Sequence, residues 1–174
     1  MHKVLIFNVG DHVATTFLLI SMAMVAATAF FFLERDRVAV KWKTSLTVAG
    51  LVTGVAAWNY FYMRGVWVTT GDSPTVLRYI DWLITVPLQI VGFYLILAAV
   101  TTVAVGLFWR LLVAALIMLV FGYCGEIGAL NVTLAFVIGL AAWLYIVYEV
   151  FAGEASQVNA GSGNAAGQAA FNAL

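Results

Sequence analysis

Two charges, Arg78 and Asp81, stand inside a stretch from about Thr75 to Ala99 that is otherwise almost wholly apolar. A charge at membrane depth costs about 2.5 to 3.5 kcal/mol even on the lenient insertion scale, so such residues need a reason to be there. Their spacing of three puts them on one helix face. Taking Asp81 as the origin and roughly 100° per residue, Gly92 falls near 20°, Thr85 near 40°, Arg78 near 60° and Gln89 near 80°. That stripe should face a bundle interior, with Asp81 and Gly92 about 16 Å apart along the axis. The helix then carries an ion pair in its outer third, hydroxyl and amide groups at its middle and a gap at Gly92. Such a stripe either cements two helices through the ion pair or lines a proton or ion pathway. Pro87 removes one backbone bond beside the stripe and can kink the helix there.

The elements that must position this stripe follow from composition. Of the 174 residues, 64% are apolar and 9% charged, against about a quarter charged in a soluble domain. Mean hydropathy is +1.04. This excludes a water-soluble enzyme, a nucleic-acid binder and a disordered chain. The eight basic and eight acidic residues cancel, so no bulk charge draws in nucleic acid. The single cysteine, Cys124, excludes an internal disulfide and a cysteine-rich metal site, and His2 and His12 lack metal-ligand spacing. An all-α integral membrane bundle remains.

A span needs about 20 apolar residues. Five segments qualify, at about 13–33, 44–63, 75–99, 105–124 and 131–151, so residues 1–154 form the bundle. A polar connection from about Gly65 to Ser73 separates the second and third spans. Residues 155–174, rich in Ser, Gln, Asn, Gly and Ala, read as a cytoplasmic loop, with Ala169 to Leu174 as the possible start of a sixth helix. Lys3 is followed by too short an apolar run for a signal peptide. An outside N-terminus puts Arg35, Arg37, Lys41, Lys43 and Arg110 on the cytoplasmic side against Lys3 and Arg64 outside, as the positive-inside rule favours.

The stretch Arg78-Tyr-Ile-Asp81-Trp82-Leu-Ile-Thr85-Val-Pro87-Leu-Gln89 is preceded by Tyr62-Met-Arg-Gly-Val-Trp and Gly71-Asp-Ser-Pro-Thr. It resembles the third-helix region of microbial rhodopsins, within them the proteorhodopsin branch. Phe30-Phe-Phe-Leu-Glu-Arg-Asp-Arg, Lys41-Trp-Lys-Thr-Ser-Leu-Thr-Val and Phe121-Gly-Tyr-Cys-Gly-Glu126 extend the resemblance over roughly residues 15 to 174. It implies a seven-helix retinal protein in a bacterial inner membrane, moving protons outward under light, a transporter or photoreceptor rather than an enzyme, and a homo-oligomer. All-trans retinal is the implied cofactor. Asp81 would be counterion and acceptor of the Schiff-base proton, tuned by Arg78, which would also help gate release. Thr85 would bond near Asp81, and Trp82, Gln89, Met118 and Gly122 would line the retinal pocket. A Gln at 89 resembles the blue-absorbing variants. The physics agrees: Arg78 favours a charged Asp81 while burial opposes it.

Three departures stand out. The family needs a lysine on a seventh helix, whose amine forms the Schiff base. This chain has only Lys3, Lys41 and Lys43, near span ends, so covalent attachment calls for a lysine beyond residue 174 and the sequence reads as incomplete. The cytoplasmic donor position is Gly92, which carries no proton, and the Asp81, Thr85, Gly92 set resembles pumps that lack the donor. Asn59 stands where most proteorhodopsins have a histidine bonded to the counterion, and Leu18 replaces the tryptophan that meets this histidine across the protomer boundary. Glu126 is expected to face water at the outer end of the fourth span. Glu149 and Glu154 are expected to be solvated on the cytoplasmic side, and Cys124 to be a small buried apolar residue. A sensory rhodopsin remains an alternative, because a sensor works without a donor. So does an inactive membrane fragment if the chain is complete.

Overall fold

The structure is a computed structural model that describes residues 10–172; Lys3 and His2 lie outside them. Among the described residues the regular elements are all helices: α1 His12–Glu34, α2 Val40–Thr70, α3 Thr75–Ala98, α4 Val105–Glu126, α5 Val132–Phe151, α6 Glu154–Gly161 and α7 Ala165–Asn172. Three of the long helices start on a local signal. The carboxylate of Asp11 accepts from the Ala14 N–H at 2.9 Å and caps α1. Pro74 precedes α3 and sets its entry. Asn131 caps α5 by accepting from the Leu134 N–H.

Two segments differ from the sequence expectation. The second helix does not end at Arg64 but continues to Thr70, where Gly71 takes φ +76° and its N–H bonds to the Trp67 carbonyl at 2.8 Å. At about 1.5 Å per residue its 31 residues reach about 46 Å, well beyond a hydrocarbon core of about 30 Å. The extension holds because Trp67 donates its indole N–H to both Asp11 oxygens at 3.1 Å, tying it to the start of α1. The residues after Glu154, read as a loop with a possible helix start at Ala169, form the short helices α6 and α7, the second starting at Ala165. Packing against α3 and α5 supplies what their polar, glycine-rich sequence lacks.

By length and composition α1, α3, α4 and the segment Val132–Gly161 are apolar enough to cross a membrane. More polar, α2 lies between α1 and α3. Neighbouring long helices run antiparallel, as their contacts show. Along α1, Asp11, Phe17 and Thr28 meet Trp67, Tyr60 and Thr53 of α2 in descending order. Along α3, Arg78, Tyr79 and Tyr94 meet Glu126, Tyr123 and Phe108 of α4. Large apolar side chains such as Leu19, Leu33, Trp58 and Phe136 cover the outer surface, as lipid contact requires. The most tightly buried apolar cluster sits where α3 ends and α4 begins, around Leu97, Leu107 and Leu111, with Ala155 of α6 and Phe171 of α7.

Candidate functional site

The polar stripe of α3 divides between two neighbours. Its Asp81 and Gly92 edge turns toward α2: Asn59 Nδ2 donates to Asp81 Oδ1 at 3.1 Å, and a Cβ added at Gly92 would stand 3.5 Å from Val48 Cγ1. Asp81 is 3% exposed and Thr85 5%. The Thr85 hydroxyl donates to the Asp81 backbone carbonyl at 2.9 Å rather than to its carboxylate. The Arg78 and Gln89 edge turns the other way, toward α4 and α5.

Arg78 and Asp81 do not form the ion pair that their spacing suggested. Arg78 instead bonds to Glu126 at the end of α4, where Thr75 also donates at 2.9 Å. Helical side chains lean toward the N-terminus, so Arg78 reaches away from Asp81 and its long stem carries the guanidinium outward. Its Cζ lies 5.5 Å from the Trp82 ring, within cation–π range. Glu126 is therefore paired instead of merely facing water. Its position 48 residues from Arg78 left no local signal.

Trp82, Met118 and Gly122 come together with Tyr79, Gly139 and Trp143 in a groove of about 470 Å³ among α3, α4 and α5. A Cβ at Gly122 would come 3.1 Å from the Tyr79 hydroxyl, so a larger residue there would press on the groove wall. Aromatic walls and small residues in an apolar cleft suit a rigid, flat hydrophobic ligand, and a polyene such as retinal fits that description. Gln89 is not in this groove. It is exposed and lines a second cavity of about 230 Å³ with Phe93, Ile146, Val150 and Phe171. Lys41 and Lys43 stand at the start of α2, far along the chain from the groove's residues.

Glu149 departs most from expectation. It is 5% exposed, not solvated. The Tyr145 hydroxyl donates to Oε1 and the Glu154 backbone N–H to Oε2, each at 3.0 Å. Arg110 Nη1 lies 3.9 Å from Oε1, and Arg110 also bonds to Glu154. The available signal was Tyr145 one helical turn before Glu149. Arg64 is also buried, because α2 continues past it. Cys124 is half-buried. At the start of α1, the Ala14 N–H holds the Asp11 carboxyl below the usual carboxylate range, aided by Trp67 and the Arg64 charge.

The sequence model of bacteriorhodopsin-like proteins matches residues 11–174. The chain is 57% identical over 167 residues to a green-light absorbing proteorhodopsin of Gamma-proteobacterium EBAC31A08, covering 96% of this chain and 67% of that one. A blue-light absorbing proteorhodopsin of Gamma-proteobacterium Hot 75m4 is 55% identical, with 96% of this chain and 66% of that one covered. Among solved structures, the blue light-absorbing proteorhodopsin from Med12 is similar at a TM-score of 0.80 and 55% identity, over 94% of this chain and 72% of that one. The chain thus spans about two thirds of the length of these curated relatives.

Proposed function

The chain belongs to the bacteriorhodopsin-like family, and from that premise we propose that the whole protein is a light-driven outward proton pump of proteorhodopsin type. The observation that carries this reading is the buried carboxylate of Asp81, held by Asn59 on the polar stripe of α3. Retinal, when bound, supplies light absorption and a light-driven shift of charge. Trp82, Met118 and Gly122 would hold it along the groove, and a lysine beyond residue 174 would anchor it.

The chain's own residues then divide the work. Asp81 takes up a proton, as the buried carboxylate of the stripe. The Asn59 amide holds Oδ1 and orients the carboxylate. Outward of it, Arg78 and Glu126 form a charged pair a third exposed, which suits release to the medium. Gly92 offers no group that could resupply a proton, so supply comes from cytoplasmic water. The protein sits in a bacterial inner membrane with its N-terminus outside, as a homo-oligomer in contact with lipid.

The test is light-driven acidification by cells or vesicles carrying the full-length protein. Asp81→Asn should abolish it, a loss on the order of a hundredfold or more. Acidification that survives the substitution overturns the reading. Gly92 also favours a second reading, a sensory photoreceptor; an intact pigment that absorbs light and moves no protons under controlled membrane potential would support that one.

A further inference from the structure

Two outer grooves of similar size run between neighbouring helices, and they differ in charge. The one along α1 and α2, about 530 Å³, has no charged side chain in its wall among the described residues. The one along α4 and α5, about 480 Å³, carries Arg110 at one end. Val113, Ala114, Ile117 and Ala142 continue it as an apolar trough, deep because the two alanines are small. Arg110, Val113 and Ile117 lie roughly 120° round α4 from Met118 and Gly122, at about 100° per residue. This groove therefore opens away from the one that Trp82 lines. From Arg110 to Ile117 it runs about 10 Å, within the roughly 15 Å depth of one hydrocarbon leaflet. Trp109, exposed beside Arg110, marks the level where indole rings meet the headgroups.

The charge at the groove's end belongs to a clasp. Arg110 bonds to Glu154 at the start of α6, and its Nη1 lies 3.9 Å from Glu149 Oε1. Glu149 is buried and accepts from the hydroxyl of Tyr145, whose ring lines the groove. Arg110 keeps 47% of its side chain exposed and Glu154 39%. Two carboxylates against one guanidinium leave the clasp net negative. An anionic headgroup approaching Arg110 would meet repulsion from Glu154. A headgroup of both signs escapes it. Arg110 has five N–H donors, so a phosphate oxygen can join the two carboxylates around it. A primary ammonium can then donate to Glu154, whereas a quaternary one has no hydrogen to give.

We propose that the α4–α5 groove binds an ethanolamine phospholipid of one leaflet. An acyl chain lies along Val113, Ile117 and Ala142, the phosphate bonds to Arg110 and the ammonium to Glu154. The lipid thereby bridges α4 and α6 on the outside of the bundle. A full-length protein that moves no protons should bind the same lipid, so this site and the pump reading fail separately.

The test is native mass spectrometry of the full-length protein, given phosphatidylethanolamine, phosphatidylcholine or phosphatidylglycerol of the same acyl chains. Circular dichroism confirms that each variant is helical. The ethanolamine lipid should be retained over the choline lipid on the order of tenfold, the selectivity that a charge-assisted hydrogen bond supplies. Glu154→Gln keeps the shape and should bring this ratio towards one. Ala142→Phe fills the trough and should lower retention of the ethanolamine lipid by a similar factor, with the charges untouched. Equal retention of the three lipids would make the groove ordinary boundary contact and overturn the proposal. So would a preference for the glycerol lipid, which would leave Arg110 acting alone. An ethanolamine preference that both variants leave intact would place the lipid elsewhere and overturn it too.

Discussion

The two ends of α3 are built from opposite materials. At its start, Arg78 and Glu126 pair across to α4 with about a third of each side chain exposed, and Asp81 is held by an amide from α2. At its finish, Phe93 and Leu97 join an apolar cluster from four helices, and the charges are set beyond it in the Arg110–Glu149–Glu154 clasp. Polar and charged groups gather at the start of α3, whereas its finish is packed with apolar side chains. The difference shows how one helix can hold charge at one end and an apolar core at the other.

The largest effect should come from adding a titratable group at Gly92, on the α2-facing edge of α3. Without a donor, recovery of the dark state should slow as bulk pH rises, roughly tenfold per unit where proton supply limits the rate. Gly92→Glu should flatten this between about pH 6 and 9, since an internal carboxyl then supplies the proton. The first added carbon is tolerated, because a Cβ at 92 meets only Val48, at ordinary contact distance. Flash photolysis reads both; a recovery independent of pH in the unmodified protein would mean that another internal group already donates.

The clasp and the outer pair look alike on paper and should differ in worth. Glu149→Leu leaves the Tyr145 hydroxyl and the Glu154 N–H without their buried acceptor, a cost of about 1 to 3 kcal/mol. Glu126→Leu breaks a partly exposed pair and should cost about 0 to 1 kcal/mol. Thermal loss of the pigment's colour measures both, and equal costs would erase the contrast between the two ends.

A smaller effect concerns colour. Gln89→Leu removes an amide dipole and should shift absorption to longer wavelength. Gln89 lies outside the Trp82–Met118–Gly122 groove, so an unchanged spectrum would mean that its dipole does not reach the chromophore.

The smallest effect belongs to the tie between α1 and α2. The Ala14 N–H stabilises the charged form of Asp11, so its folded pKa lies below the unfolded one. That contribution is present above the ordinary carboxylate range and is lost as pH falls through the folded value. Asp11→Asn should lower thermal stability slightly at neutral pH and make no difference in strong acid. A difference that persists in acid would assign the effect to side-chain packing against Trp67.

Much of this was readable along the chain. Apolar segments of span length and Pro74 before α3 mark helices through local chemistry, and the burial of Asp81 and Thr85 follows from helical spacing. The length of α2 was not readable, because Gly65 to Thr70 stay helical through a bond from Trp67 to Asp11, 56 residues away. Nor were α6 and α7, whose composition favours a coil until α3 and α5 supply a surface.

By itself the sequence determined which residues carry charge at depth, the face they share, and the family to which they belong, because these depend on residue type and a fixed turn per residue. Which partner each charge takes was decided only in the tertiary structure. Arg78 chose Glu126 over Asp81, Asp81 met Asn59, and Glu149 left solvent for Arg110 and Tyr145. Those choices depend on the register of one helix against another and on the direction in which side chains lean, and neither is set by spacing within a single helix.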